Sequence, residues 1–205
     1  MGKKILITAF EPFGGMPVNT SQEVLSLLPR EINGVELYKQ ILPVSHEAAE
    51  IAGSALCRVA PDAALSLGLA AGDTCVRVER IAVNIADYGI PDNAGLMPEG
   101  GKIIPSGPAA YFLNSDPGVL LKAIESSGTP AYISNHAGTY VCNYLMYSLS
   151  DLISERYPLV KYGFIHLPVC TEALLGQEGG RKKTPSLPIK MLEAAVEAAA
   201  AALAG

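Results

Sequence analysis

Cys142 is the most chemically promising residue in this sequence. It lies in Ala137-Gly138-Thr139-Tyr140-Val141-Cys142-Asn143, after a strand-like run, Ala131–Ser134, and at the start of a helical pattern from Val141 to Tyr157. The spacing predicts a thiol in the first turn of a helix. Unpaired backbone N–H groups and the positive end of the helix dipole can stabilise a thiolate there. A thiol nucleophile needs a base, usually histidine, and the base needs a group to orient it. There are three histidines: His46, His136 and His166. His46 falls in the first turn of an amphipathic helix and reads as a surface residue. His136 is near Cys142 in sequence, but six residues across a turn do not ensure facing side chains. His166 closes the run Gly163-Phe164-Ile165-His166-Leu167-Pro168, and in open α/β sheets sites gather at the carboxyl ends of strands. Glu79 sits inside Val76–Val83, although carboxylates are poor strand formers and a buried one needs a partner.

Cys142, His166 and Glu79 together would support acyl transfer. The thiol attacks a carbonyl, the imidazole moves the proton to the leaving amine, and the carboxylate holds the imidazole in the right tautomer. Each residue also has an ordinary structural alternative: a small buried hydrophobe, a hydrogen-bonded strand-end histidine, and a solvent-facing or arginine-paired glutamate.

The elements that must position them alternate between strands and helices. Strands are expected at Lys3–Phe10, Val35–Val44, Ala63–Ala70, Val76–Asn84 and Tyr162–Leu167. A short helix capped by Asn19 or Thr20 should run to Leu28. Ser45 should cap a second helix with Ala48, Ile51, Ala52, Ala55, Leu56 and Val59 on its apolar face. Asp116-Pro117 opens a helix and Gly128 closes it. Ser186-Leu187-Pro188 starts a terminal helix whose packing face holds Met191, Leu192, Ala195, Val196, Ala199 and Leu203. Residues 84–108 are dense in Gly and Pro, so they should form a functional connection or an excursion with its own hairpin. Residues 175–187 read as a mobile surface loop. The pattern predicts one α/β domain over residues 1–205, a three-layer α/β/α sandwich around a mixed, mostly parallel twisted sheet.

Composition excludes several classes. The 205 residues, 49% hydrophobic and 17% charged, describe a folded chain with a sizeable core. A net charge of −5 argues against nucleic acid as a partner. No apolar run approaches the roughly 18 residues of a membrane span, and no secretory signal is read. Cys57, Cys75, Cys142 and Cys170 form no C-x-x-C pair, so free thiols are expected, with Cys57 as a small buried hydrophobe. No metal or other cofactor motif, dinucleotide fingerprint, Walker loop or serine-hydrolase elbow is present.

Ser134–Asn143, Glu79-Arg80-Ile81-Ala82-Val83-Asn84 and Gly163–Pro168 resemble the cysteine, glutamate and histidine segments of the pyroglutamyl peptidase I (pyrrolidone-carboxylate peptidase) family. Thr8-Ala9-Phe10-Glu11-Pro12-Phe13-Gly14-Gly15, Ile90-Pro91-Asp92-Asn93 and Gly107-Pro108-Ala109-Ala110-Tyr111-Phe112 match in order. The resemblance implies a cytosolic, metal-independent cysteine peptidase that removes N-terminal pyroglutamyl residues, commonly as a homotetramer, with a dimer as the other expectation. It assigns Cys142 as nucleophile, His166 as base and Glu79 as orienting carboxylate. It also places Phe10, Phe13, Tyr140, Val141 and Leu69 at substrate-binding positions, the two phenylalanines sandwiching the flat lactam. Three positions depart from the family pattern: Leu69 replaces a glutamine that reads the lactam, Asp73 replaces an arginine, and Gly89 replaces an arginine that helps the oxyanion. Tyr140 replaces a phenylalanine. Compensating donors are expected among Tyr88, Arg80 and Arg77. The same residues leave room for a hydrolase of another small amide or lactam-capped substrate, or for an impaired family member acting in binding or assembly.

Overall fold

The computed structural model describes residues 2–175 and 184–205. In chain order it contains β1 (Lys3–Phe10), α1 (Thr20–Leu27), β2 (Glu31–Ile32), β3 (Val35–Leu42), α2 (Glu47–Val59), β4 (Ala63–Leu69), β5 (Val76–Glu79), β6 (Ile81–Val83), β7 (Ala86–Asp87), β8 (Glu99–Gly101) and β9 (Ala110–Phe112). It continues with α3 (Pro117–Ser126), β10 (Ala131–Ser134), α4 (Val141–Arg156), β11 (Lys161–Leu167), β12 (Val169–Cys170), α5 (Thr171–Leu174), β13 (Ser186–Leu187) and α6 (Ile189–Ala204).

Seven strands form one sheet in the order β10-β5-β11-β4-β1-β3-β2. Neighbours run parallel except β5 with β11 and β2 with β3. Strands β1, β4 and β11 are buried along almost their whole length because both faces are covered. On one face Ile5, Ile7, Leu65, Leu67 and Ile165 pack against Val24 and Leu25 of α1, Leu120 and Ile124 of α3, and the Leu192, Val196 and Leu203 stripe of α6. On the other, Leu6, Ala64, Tyr162 and Phe164 pack against Ala52 and Leu56 of α2 and Leu145, Met146 and Leu149 of α4. This is the expected three-layer mixed sandwich.

Several local expectations change. The run from Val76 to Asn84 is two strands: β5 belongs to the main sheet, and β6 pairs antiparallel with β9. The chain leaves the sheet at Arg80, whose N–H donates to the Ser134 carbonyl while its own carbonyl accepts from Leu113 N–H. Ser45 is not a side-chain cap. Its carbonyl accepts from Ala48 N–H, and the buried hydroxyl has no partner among the described residues. Cys57 is exposed rather than buried, because it lies off the stripe formed by Ala48, Ala52, Ala55, Leu56 and Val59. Two short strands, β2 and β13, carried too few residues for a periodicity to register. Asn19 caps α1 by accepting from Ser21 N–H, and Asp116 caps α3. The excursion does hold a small ladder, β7 with β8. The mobile loop expected within 175–187 lies largely outside the described residues.

Candidate active site

The site forms where β4 and β11 end, with β5 running antiparallel beside β11, beneath the start of α4. Strand β11 lies between β4 and β5, with His166 opposite Gly68 on one side and Arg77 on the other. His166 Nδ1 donates to Glu79 Oε1 at 2.8 Å, and both side chains are almost fully buried. Glu79 is thus a strand carboxylate turned inward to a partner rather than outward to water. The Phe164 ring flanks the imidazole, centroid to centroid 4.9 Å. The free imidazole nitrogen, Nε2, converges with Cys142 Sγ over the backbone of Gly68.

Burial alone would lower the His166 pKa. The adjacent Cys142 sulfur and the Glu79 carboxylate more than offset that, and the imidazole is pushed up to about 9. The site therefore favours a protonated imidazole.

Cys142 is the second residue of α4. The residue before the helix, Tyr140, supplies no side-chain cap, and the helix's own ladder begins with Tyr144 N–H donating to the Tyr140 carbonyl. The N–H groups at the α4 start are thus left for whatever lies beside the thiol. The preceding turn passes through Gly138 at φ +82°, a conformation that favours glycine. Thr139 ties this turn to the excursion: its hydroxyl donates to the Asp87 carbonyl at 2.7 Å, and its carbonyl accepts from Asp87 N–H at 3.2 Å.

Sequence reasoning missed Asn143. It is fully buried, accepts from Val83 N–H at 2.9 Å, and donates to the Val83 and Ile85 carbonyls at 2.9 and 3.0 Å. It staples the first turn of α4 to β6. The available signal was a polar residue on the inward face of an otherwise apolar helix. Asn84 fixes the far end of the same excursion through Ile104 and Gly107. His136 is exposed, and its Nδ1 accepts from Gly138 N–H, so it shapes the turn.

Beside Cys142 lies an apolar pocket walled by Phe10, Phe13, Val44, Leu69, Tyr140 and Val141, with about 10 Å³ of free space. All five sequence-named substrate positions therefore meet at the thiol. That volume holds about one water molecule, so the aromatic wall lies close around the thiol. Phe13 and Tyr140 lie tilted, 6.0 Å apart. Asn19 reaches the same pocket, but its oxygen accepts from Ser21 and its amide donates to the Glu11 carbonyl. Larger hollows of about 560 and 650 Å³ lie elsewhere and contain none of the three site residues.

The divergent positions behave differently. Asp73 is outside the pocket and pairs with Arg77, whose Nη2 donates to its Oδ1 at 2.8 Å; this bond holds the Asp73 carboxyl below its usual range. Arg77 is thereby committed. Gly89 is exposed with open space around it. Among the described residues the Tyr88 hydroxyl and Arg80 Nε are buried without hydrogen-bond partners, and the Tyr88 ring meets Tyr140 edge-on at 4.7 Å. Among the described residues no cluster of three His, Cys, Asp or Glu side chains is placed to hold a metal, and no helix is long and apolar enough to cross a membrane.

A family model described as pyroglutamyl peptidase matches residues 3–205. The chain is 42% identical over 202 residues to pyrrolidone-carboxylate peptidase 1 of Caldanaerobacter subterraneus subsp. tengcongensis, covering 98% of this chain and 100% of that one. Among solved structures, pyroglutamyl peptidase I from Bacillus amyloliquefaciens superposes with a TM-score of 0.93 at 35% identity, covering 100% of this chain and 96% of that one. The pyrrolidone carboxyl peptidase from Thermococcus litoralis superposes with a TM-score of 0.90 at 37% identity, covering 98% and 93%.

Proposed function

The chain belongs to the pyroglutamyl peptidase family, a cysteine omega-peptidase that removes N-terminal pyroglutamate, and we propose that Cys142, His166 and Glu79 carry out its reaction. The observation that carries this assignment is the buried hydrogen bond from His166 Nδ1 to Glu79 Oε1, with the other imidazole nitrogen and Cys142 Sγ meeting over Gly68.

In this reading the pyroglutamyl ring displaces the aromatic wall and lies between Phe10, Phe13 and Tyr140, its flat faces against apolar surface. Cys142 Sγ attacks the carbonyl carbon between the ring and the next residue. Its proton passes to His166 Nε2. The negative charge that develops on the carbonyl oxygen faces the unspent N–H groups at the start of α4. When the tetrahedral species collapses, the C–N bond breaks and His166 gives its proton to the leaving amine. Water then attacks the thioester, His166 takes a proton from it, and pyroglutamate leaves as Sγ regains its starting state. Glu79 holds Nδ1–H throughout and favours the imidazolium.

A fluorogenic pyroglutamyl-amide assay tests the assignment. Cys142→Ser should lower kcat by about 10³-fold or more, and a thiol alkylator should abolish wild-type turnover. A Cys142→Ser enzyme with near-normal kcat would overturn the nucleophile.

We also read residues 1–205 as one domain, cytoplasmic in keeping with four free cysteines, and acting as a homo-oligomer, tetramer or dimer. Ile85, Ile90, Leu96 and Met97 support the last point, each 42–48% exposed on one excursion. Light scattering coupled to gel filtration tests it, and a monomer at micromolar concentration would refute it.

A further inference from the structure

Gly68 is the residue of β4 that lies beneath the reacting pair. Side chains along a strand alternate between faces. Leu65 and Leu67 enter the core against α1 and α6, while Ala64 and Gly68 face α4. A Cβ on Gly68 would fall 2.6 Å from His166 Cδ2, 2.8 Å from Nε2 and 3.1 Å from Cys142 Sγ. It would occupy the gap through which the thiol proton passes. Nothing around that gap yields readily. Glu79 holds the imidazole from the far side, Phe164 flanks it, and the Asn143 staple fixes the start of α4. Nor does Gly68 have a positive φ that would explain glycine on backbone grounds.

We propose that Gly68 is a positioning residue whose missing side chain leaves the space in which Cys142 Sγ and His166 Nε2 meet. The proposal rests on the reading of Cys142 and His166 as nucleophile and base. A misplacement of about 1 Å in a reacting pair costs on the order of 10²-fold in rate. Gly68→Ala is therefore expected to lower kcat about 100-fold with KM within about threefold. The profile of Cys142 alkylation by iodoacetamide should also change, because the added methyl displaces the sulfur from the imidazole.

Gly163→Ala is the control. On the neighbouring strand a Cβ there would be 3.2 Å from Leu120 Cδ1, a tight site among leucine methyls with no catalytic group. It should lose some stability and keep wild-type kcat and alkylation profile. Two results would overturn the proposal: a Gly68→Ala enzyme with kcat within about threefold of wild type, or one whose activity falls only with its folded fraction and whose alkylation profile is unmoved. If Gly68→Ala does not fold, the substitution is made in His166→Ala, where its closest clash is gone. Recovery of the fold there supports the proposal, and failure to fold in both backgrounds overturns it. Cys142→Ser and His166→Ala in the same assay separate the two levels: substantial activity in either sinks the catalytic assignment itself, whereas retained kcat in Gly68→Ala alone sinks only this inference.

Discussion

The relay and the recognition shell are adjacent yet built on opposite physical terms. Glu79 and His166 lie on strands in the interior, are nearly fully buried, and are hydrogen-bonded to each other. Leu69, Asp73 and Gly89 lie at or beyond strand ends, and each departs from the family pattern without disturbing the relay. Leu69 turns an apolar face to the pocket, Asp73 is neutralised by Arg77, and Gly89 adds no side chain. A sheet fixes the groups whose relative positions must hold to a fraction of an ångström, while loops set the groups that choose a substrate.

The sharpest way to break the comparison is to change the charge inside the relay and keep its shape. Glu79→Gln should lower kcat by about 10²–10⁴-fold, because the amide can hold the imidazole in the wrong tautomer and no longer stabilises the imidazolium. In wild type the alkaline limb of kcat/KM should lie near pH 9, where His166 loses its proton. In Glu79→Gln that limb should move down. The sign for stability follows from a folded-state pKa above the ordinary value of about 6.5. The His166 contribution is complete below about pH 6.5 and disappears as pH rises through about 9. Thermal melts from pH 6 to 10 check this, and a midpoint that rises over that interval would contradict it.

The next effects concern the shell. Gly89→Arg enters open space; if a missing oxyanion donor limits the rate, kcat should rise by about 10- to 100-fold with a smaller change in KM. An unchanged kcat would place sufficient oxyanion stabilisation elsewhere. Leu69→Gln should sharpen selectivity for pyroglutamyl over cyclopentanecarbonyl amides by about 10-fold, since the ring then meets a polar reader. Equal ratios in the two enzymes would mean the lactam is read by backbone alone. Asp73→Ala should do least. The Arg77 pair is partly exposed and worth under about 1 kcal/mol, so kcat should stay within about twofold. A larger loss would bring Asp73 into the site.

Some of this was legible from residue order and some was not. Cys142 could be placed at a helix start because the strand–turn–helix pattern around it is local. His166 could be placed at a strand end for the same reason. Glu79 was ambiguous, since inward and outward faces of a strand exchange with a shift of one residue. Only pairing β5 against β11 turned it toward His166. The break at Arg80 was invisible because β6 finds its partner, β9, some thirty residues later. Cys57 was misjudged because alanine-rich helical composition does not say which stripe faces the core.

By itself, then, the order of residues determined the α/β alternation, the three candidate catalytic side chains and the aromatic pocket positions, all of which rest on local periodicity or on short matching segments. The tertiary structure decided the rest. It brought Glu79, His166 and Cys142 into one relay, clamped α4 through Asn143, removed Asp73 from the pocket by pairing it with Arg77, and made Gly68 the floor of the proton gap. These are relations between residues far apart in the chain, and only the packing of strands and helices sets the distances between them.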